Sequence, residues 1–332
     1  MRKRFAVTAW AVLAALGLAG GVAAEPSGKD GLKTPMFEFG LIGDFPYDAE
    51  QYPKWITLIE KMNQEQLAFV VHDGDFKGGA VRCDDALYHA RLAEFQSFVH
   101  PFVFIPGDND WTDCHRPAAG GYDPLERLDF LRRVFYPDEF SLGRRTIRLT
   151  RQSETPGYET FVENVRWVYG QVVFVGLNVQ GSNNNLGRTP EQDQEYVGRN
   201  AANLYWIAEG FRTAREVGSA AVMLIFQANP EFEVWPARPA GSGFTDTIAA
   251  IERETLGFGK PVVVVHGDSH YFRIDKPLRA STTGRRIERF TRVETFGSPD
   301  VHWLRAKVDP RDANVFTFVQ EIVPENLVDH AP

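Results

Sequence analysis

Residues 69–79, FVVHDGDFKGG, place two aspartates directly after a short run of apolar, largely β-branched residues. A run that is apolar on both faces is typical of a buried parallel strand covered by helices. Asp73 and Asp75 therefore follow the carboxyl end of a predicted strand, residues 68–72. In open α/β sheets, ligands bind outside the carboxyl ends of the strands, where the connecting loops converge. The stretch predicts an α/β fold with an acidic site at one edge of its sheet.

The same pattern occurs at three other predicted strand ends, in LIGDFPY (residues 41–47), FIPGDNDW (104–111) and VVVVHGDSHYF (262–272). A glycine precedes each first aspartate and lets the backbone turn sharply off the strand. Together the four stretches bring Asp44, Asp75, Asp108 and Asp268 towards one crevice. So much like charge is unfavourable unless a divalent cation neutralises it. The alternative is that each aspartate only caps a helix or a turn.

Short apolar runs alternate with amphipathic segments over most of the chain. The predicted strands are residues 37–42, 68–72, 102–105, 171–177, 220–226 and 261–266. The predicted helices are residues 55–66, 85–99, 124–134, 191–217 and 244–256. Three further strands, residues 289–296, 302–308 and 315–322, follow without helices and are predicted to be antiparallel strands of a second sheet. The long polar loops 106–123, 137–166 and 180–190 are expected to be functional.

The N-terminus predicts export. Arg2, Lys3 and Arg4 precede an apolar stretch, and Val22-Ala23-Ala24 forms a small-residue cleavage site. We expect a signal peptide over residues 1–24, a polar linker over 25–36 and a periplasmic or extracellular protein; an uncleaved anchor is the alternative. No later stretch reaches membrane-spanning length. Removing the three basic residues takes the formal net charge from −8 to −11, which argues against nucleic-acid binding.

Cys83 and Cys114 are the two cysteines of the chain. In an oxidising compartment a disulfide between them is expected. Two buried free thiols are the alternative. The sequence contains no P-loop, dinucleotide fingerprint, HExxH helix or GxSxG elbow, so it lacks the motifs of several common enzyme classes.

The order GD, GD, GDND, an isolated Gln and GDSH resembles the motifs of calcineurin-like metallophosphoesterases, GDxH, GDxxD, GNH(D/E), H and GHxH. The resemblance extends from Phe37 to His270. It implies one domain over residues 37–325, with two mixed β-sheets packed face to face and flanked by helices in four αββα layers. It also implies hydrolysis of a phosphate monoester or diester through a metal-activated water.

The resemblance implies one or two divalent cations, held by Asp44, Asp75 as the bridging ligand, Asp108 and His270. Several family histidines are replaced: Gln227 matches the isolated histidine, Asp268 the first histidine of GHxH, and Tyr47 can supply an oxygen near the missing histidine of GDxH. Because oxygen ligands dominate, we expect Mg, Mn or Ca in preference to Zn or Fe.

The catalytic histidine of the family is replaced by Asn109, which donates a hydrogen bond but cannot protonate a leaving group. Asp110 and His266 are the other candidate catalytic residues, and His72 and His115 are further candidate acids. Lys77 and Arg116 are candidate phosphate clamps, with surface solvation as the alternative. Asn183 and Asn184 are candidate substrate-binding residues, with an ordinary turn as the alternative.

The sequence therefore predicts an exported, metal-dependent phosphoesterase acting on a small-molecule phosphate ester. The lost imidazoles keep a second hypothesis open, a catalytically weakened relative that acts as a metal-stabilised binding or surface protein. A hydrolase of a non-phosphate ester that uses the same metal chemistry is a third.

Overall fold

The computed structural model describes residues 36–328, and the predicted signal peptide lies outside them. The first sheet has five strands, in the order β12 (Phe316–Glu321), β11 (Trp303–Val308), β1 (Phe37–Ile42), β2 (Val70–His72) and β3 (Phe102–Phe104). β1, β2 and β3 are parallel, whereas β11 and β12 are antiparallel to their neighbours.

The second sheet has seven strands, in the order β4 (Thr150–Arg151), β5 (Val165–Tyr169), β6 (Val172–Gly176), β7 (Ala221–Ile225), β8 (Val262–His266), β10 (Phe290–Glu294) and β9 (Arg273–Asp275). Its central strands β6, β7, β8 and β10 are parallel. These strands are the apolar runs of the sequence, and the side chains of β6, β7 and β8 are buried throughout, as expected where helices and a second sheet cover both faces.

The two sheets pack face to face through aromatic side chains. Phe39 of the first sheet lies 5.4 Å from Phe174 of the second, and Phe69 lies 5.6 Å from Trp167, both between ring centroids. Edge-to-face contacts of this kind add to the free energy gained by burying apolar surface. The predicted pair of face-to-face mixed sheets is confirmed.

Helices cover both outer faces. The helices are α1 (Tyr52–Asn63), α2 (Asp85–Phe95), α3 (Pro124–Phe135), the one-turn segment α4 (Gly181–Asn184), α5 (Pro190–Glu216) and α6 (Thr245–Phe258). α1, α2 and α3 share a core with the first sheet, and α5 and α6 share one with the second. The side chains of Asp123 and Thr189 cap α3 and α5, each followed by a proline at the first helical position.

The prediction for the last three strands was wrong in two respects. β10 belongs to the second sheet but runs parallel to β8, and β11 and β12 join the first sheet beside β1. The sequence pattern of a strand indicates which of its faces are buried but not which neighbouring strand it pairs with. The sheet membership of these strands was therefore misassigned. β4 and the start of β5 lie inside the predicted loop 137–166.

No helix within residues 36–328 is long and apolar enough to cross a membrane. The predicted disulfide is confirmed: Cys83 and Cys114 are bonded, with their Cα atoms 5.8 Å apart. The bond joins the loop before α2 to the short 3-10 helix Thr112–His115 that follows β3.

Candidate metal centre

The predicted metal ligands lie at the carboxyl ends of strands from both sheets. Asp44 follows β1, Asp75 follows β2 and Asp108 follows β3, whereas Gln227 follows β7 and Asp268 and His270 follow β8. Contacts between side chains from the two sheets, such as Gln227 Nε2 to Asp75 Oδ2 at 3.2 Å, show that the two edges meet. The structure therefore brings these residues into one cluster, as the end-of-strand rule predicts.

The backbone is strained at four of these residues. Asp44, Asp75, Asp268 and His270 have φ angles of 56°, 60°, 76° and 57°. These angles lie in the left-handed region, which residues other than glycine seldom adopt. Such conformations cost about 1–3 kcal/mol each and concentrate at functional sites. The strain turns the side chains off the strand ends towards one another.

The hydroxyl of Tyr47 lies at the centre of the cluster. It is 3.1 Å from Asp44 Oδ1, 3.0 Å from Asp75 Oδ2 and 3.0 Å from His270 Nε2. His270 Nε2 is itself 3.6 Å from Asp44 Oδ1. Two carboxylates, a phenol oxygen and an imidazole nitrogen thus converge on one point.

His270 is oriented by the backbone. Its Nδ1 lies 2.9 Å from the carbonyl oxygen of Ser298 and donates to it, which leaves the lone pair of Nε2 facing the cluster. Burial lowers the pKa of His270 below its ordinary value. A neutral imidazole held in this tautomer is the form that binds a metal.

Asp75 accepts the largest number of hydrogen bonds in the cluster. Its Oδ1 accepts from the backbone N–H of Asn109 at 2.9 Å, and its Oδ2 accepts from Asn109 Nδ2 at 2.8 Å and from Gln227 Nε2. These contacts fix the carboxylate between the two sheets.

The one-turn segment α4 closes one side of the cluster. The N–H of Gly181 donates to Gln227 Oε1 at 2.6 Å, and a Cβ at Gly181 would lie 2.6 Å from Asp108 Oδ2 and 2.8 Å from Asp268 Oδ1. Only glycine therefore allows the backbone to approach both carboxylates. The next four residues, 182–185, all have positive φ angles and form a left-handed turn.

Burial makes the cluster electrostatically unfavourable without a cation. Desolvation, followed by neighbouring carboxylates, raises the pKa of Asp44 and Asp75 well above the ordinary range and that of Asp108 to about 7. Desolvation also raises the pKa of Asp268. A bound cation would favour the ionised forms of all four groups.

The donor set fits a hard divalent cation in its chemistry, because oxygen atoms form most of it. Within residues 36–328, however, no three Asp, Glu, His or Cys side chains alone form a ligand cage. The Tyr47 hydroxyl and the amides of Asn109 and Gln227 lie among the carboxylates and hydrogen-bond to them. Tyr47 is therefore a candidate ligand beside the carboxylates, and binding of a cation there would replace some of these hydrogen bonds.

Asp110 differs from its predicted catalytic role. Its Oδ1 accepts from the N–H of Phe76 at 2.9 Å, and its Oδ2 accepts from the N–H groups of Gly107 and Asp75 at 2.7 and 2.9 Å. Both oxygens are thus engaged with backbone. Asp110 thus joins the loops after β2 and β3 to each other through three backbone hydrogen bonds.

His266 is also poorly placed for the predicted role of general acid. The side chain is completely buried, its Nδ1 lies 2.8 Å from the carbonyl oxygen of Gly267, and burial lowers its pKa to about 3. His72, another candidate acid, is buried with a pKa of about 3 for the same reason. His115 is exposed, and its Nδ1 lies 2.9 Å from the carbonyl oxygen of Thr112.

The candidate substrate-binding residues have different surroundings. Lys77 is completely buried and donates to the carbonyl oxygen of Gly78 at 3.3 Å, so its ammonium does not reach the surface. The side chain of Asn184 is buried between the carbonyl oxygen of Gly243 and Arg199. That of Asn183 donates to two backbone carbonyls within loops. The side chains of Lys77 and Asn184 are therefore held by contacts within the protein, whereas that of Asn183 lies in exposed loops.

Arg116 remains accessible, with 46% of its side chain exposed, and its Nη2 lies 2.5 Å from Asp113 Oδ2. The sequence reasoning missed Arg188, whose Nη2 lies 2.6 Å from Asp113 Oδ1. It also missed Ser182, whose Oγ lies 2.8 Å from both Asp113 Oδ1 and Asp108 Oδ2. Two guanidinium groups thus lie beside the Asp108 side of the cluster. One available signal was that Arg188 is the sole basic residue of the predicted functional loop 180–190.

The family model for the calcineurin-like phosphoesterase matches residues 37–272, which include every residue of the cluster. The chain belongs to the calcineurin-like phosphoesterase family. The family relationship inferred from the motifs is confirmed, and with it the general class of metal-dependent phosphoesterases. Membership of this family implies divalent metal ions and phosphate-ester substrates at that general level.

The chain is similar to several solved structures at low sequence identity. The structure of PhoD matches 86% of this chain and 68% of its own, with a TM-score of 0.54 and 13% identity. Purple acid phosphatase PPD1 from yellow lupin (Lupinus luteus) seeds has a TM-score of 0.42 and 10% identity, covering 88% of this chain and 55% of its own. Phosphopantetheinyl hydrolase (PptH) from Mycobacterium tuberculosis has a TM-score of 0.40 and 14% identity, covering 78% and 89%. No curated protein matches the chain significantly. At these identities, the match to PhoD supports the fold alone.

Proposed function

We propose that this family member hydrolyses a phosphate monoester or diester with one or two hard divalent cations, Mg, Mn or Ca, and that it acts outside the cytoplasm. The observation that carries the proposal is the convergence of Asp44, Asp75 and His270 on the Tyr47 hydroxyl, at 3.1, 3.0 and 3.0 Å. Asp108, Gln227 and Asp268 extend this set of donors on the side of the second sheet.

The residues of the cluster would have distinct roles in metal binding and substrate binding. Asp44, Tyr47, Asp75 and His270 would hold the cation, which supplies charge neutralisation for the phosphoryl oxygens and activation of a water. Asn109 Nδ2, which donates to Asp75 Oδ2, and the half-exposed guanidinium of Arg116 would orient the phosphate. Asn109 cannot transfer a proton, so esters with good leaving groups are expected to react fastest.

The proposal is tested with the purified chain, freed of metal and then assayed on p-nitrophenyl phosphate and bis(p-nitrophenyl) phosphate with Mg, Mn, Ca or Zn. Turnover that requires a cation and is lost in Asp75→Asn supports it. Asp129→Asn is the matched control, because Asp129 has 65% of its side chain exposed on α3. It is expected to retain full activity.

A second hypothesis, a metal-stabilised binding protein without turnover, is favoured by Asn109 in place of an acid and by the hydrogen bonds that already fill the cluster. A cation-dependent rise in melting temperature without hydrolysis of either ester would support that hypothesis and contradict the enzymatic one.

Export is supported by the N-terminal pattern of residues 1–24 and by the Cys83–Cys114 disulfide, which oxidising compartments favour. Expression of the full chain in a bacterium, followed by fractionation and N-terminal sequencing, tests it. A mature protein that begins at Glu25 outside the cytoplasm is expected, and a cytoplasmic protein with Met1 retained would contradict it.

A further inference from the structure

A cavity of about 420 Å³ lies beside the metal centre, and Tyr47 belongs to both. The hydroxyl of Tyr47 contacts the carboxylates of Asp44 and Asp75, and the same residue is part of the cavity lining. The cavity therefore begins within the length of one tyrosine side chain from the proposed ligands.

The lining is mostly apolar. It comes from the loop between β1 and α1, the loop after β2, and one side of α2, and its apolar members are Pro46, Ala49, Val81, Leu87 and Ala90. Tyr52 adds an aromatic ring that is 42% exposed. Surfaces of this kind bind uncharged carbon groups through burial of apolar area.

The charged residues of the cavity do not favour a second anionic group. Arg91 is the one cation among the described lining residues, and its guanidinium is already engaged: Nε donates to the carbonyl oxygen of Phe76 at 2.8 Å and Nη1 to Glu94 at 2.9 and 3.0 Å. Arg91 also lies over the ring of Tyr52, 5.7 Å from its centroid. Asp48 and Glu94 leave the lining with a net negative formal charge, which repels anions.

Two other arginines lie on the Asp108 side of the cluster, Arg116 with 46% and Arg188 with 22% of the side chain exposed. Arg116 and Arg188 both bind Asp113, which Ser182 connects to Asp108. A substrate with its phosphate near these arginines and its alcohol portion beside Tyr47 would place negative charge near the guanidinium groups and apolar carbon in the apolar cavity. The reverse orientation would place apolar carbon against guanidinium groups and phosphate against Glu94.

Resting on the proposed phosphoesterase activity, we propose that this cavity, the Tyr47 pocket, binds the alcohol portion of the substrate. The substrates are then phosphate esters of uncharged apolar alcohols, aryl or short alkyl, and not esters with a further phosphate or carboxylate in the leaving group.

Binding of phosphonates tests the proposal independently of turnover, because their carbon–phosphorus bond is not hydrolysed as an ester. Benzylphosphonate and 2-hydroxyethylphosphonate are titrated by calorimetry into the full chain in the presence of Mn. We expect benzylphosphonate to bind about tenfold more tightly, since burial of the ring adds apolar contact. p-Nitrophenyl phosphate turnover is measured on the same preparations.

Two substitutions on α2 locate the effect. Ala90→Trp fills the Tyr47 pocket and is expected to remove the preference for the benzyl group while leaving the affinity for 2-hydroxyethylphosphonate unchanged. Ala86→Trp is the matched control, since Ala86 and Ala90 are both exposed residues of α2 and Ala86 does not line the pocket. The control is expected to behave as the wild type.

Equal affinities for the two phosphonates, no binding of either, or a benzyl preference that survives Ala90→Trp would overturn the proposal. Equal affinities combined with ester turnover would overturn the pocket and leave the phosphoesterase function intact. A benzyl preference that Ala90→Trp removes, in a protein without turnover on any ester, would support the pocket and overturn the catalytic proposal.

Discussion

Tyr47 shows most clearly what a single residue contributes and how far the sequence predicts it. Its position three residues after Asp44 places it near the end of β1, so the sequence indicated an oxygen donor there. Its contacts with Asn109 and His270 join residues 62 and 223 positions away, which no local pattern specifies. Lys77 illustrates the opposite case, because the sequence left it either as a phosphate clamp or as a solvated surface residue, and the structure buries its side chain completely.

Tyr47→Phe removes the hydroxyl that contacts both carboxylates and His270. We expect the affinity for Mn to fall about tenfold, which is the usual cost of losing a group that ligates or orients ligands at a metal site. Calorimetric titration of the metal-free protein measures it, with Tyr271→Phe as the control because Tyr271 is 68% exposed. Equal Mn affinities in Tyr47→Phe and the wild type would show that the hydroxyl is not involved.

At the scale of elements, the loops after β2 and β3 are held together by one side chain and one covalent bond. Asp110 accepts three backbone N–H groups from these loops, and the Cys83–Cys114 disulfide joins the second of them to the segment before α2. Sequence reasoning predicted the disulfide from the compartment but not the role of Asp110. An aspartate at a strand end has the same local pattern whether it faces a ligand or the backbone.

Asp110→Ala leaves three buried N–H groups without an acceptor. Because each unsatisfied group costs about 1–3 kcal/mol, we expect the free energy of unfolding to fall by about 3 kcal/mol or more. Urea denaturation followed by circular dichroism measures the loss, and the exposed residue Asp129 provides the control substitution Asp129→Ala. A loss no larger than that of the control would contradict the positioning role.

Replacing both cysteines with alanine opens a loop whose ends are separated by 31 positions. In the chain-entropy description, a loop of this length stabilises the folded state by about 3–4 kcal/mol. The same denaturation experiment on Cys83→Ala/Cys114→Ala is expected to show that loss. The single variants are unsuitable, since each leaves a reactive thiol; an unchanged midpoint in the double variant would contradict the stabilising role of the bond.

At the scale of the whole molecule, the alternation of strands and helices and the clustering of strand ends followed from the sequence. The partner strands of β11 and β12 did not, because antiparallel strands with one buried face are compatible with the edge of either sheet. The convergence of Arg188 and Ser182 near Asp108 depends on how the two sheets dock, and this is a property of long-range packing. The sequence thus predicted which strand ends come together, but only part of what surrounds them.

The stability of the whole chain is expected to depend on pH through the buried carboxyls. Burial raises the pKa of Asp108 to about 7 and that of Asp110 to about 6, whereas an aspartate in the unfolded chain titrates near about 4. Between about pH 4 and pH 7 the folded chain therefore binds more protons than the unfolded chain, and these groups lower the free energy of unfolding as the pH rises. A divalent cation, which favours the ionised carboxylates, offsets this loss.

Melting temperatures measured across this pH range in chelator and in Mn test the dependence. Asp108→Asn isolates one contribution, because the other titrating groups are common to both proteins. We expect the variant in chelator to lose less stability than the wild type as the pH rises to 7. If the melting temperatures of the two proteins change with pH in parallel, burial does not disfavour the ionised form of the Asp108 carboxyl, and the assignment is contradicted.

The central claim is a cation site built on Asp75 and its neighbours, and equilibrium dialysis against Mn tests it most directly. The wild-type chain is predicted to retain about one or two ions per molecule. Asp75→Asn, shown by circular dichroism to be folded, is predicted to retain none. A folded wild type without bound Mn, or equal binding by the folded variant, would contradict the account.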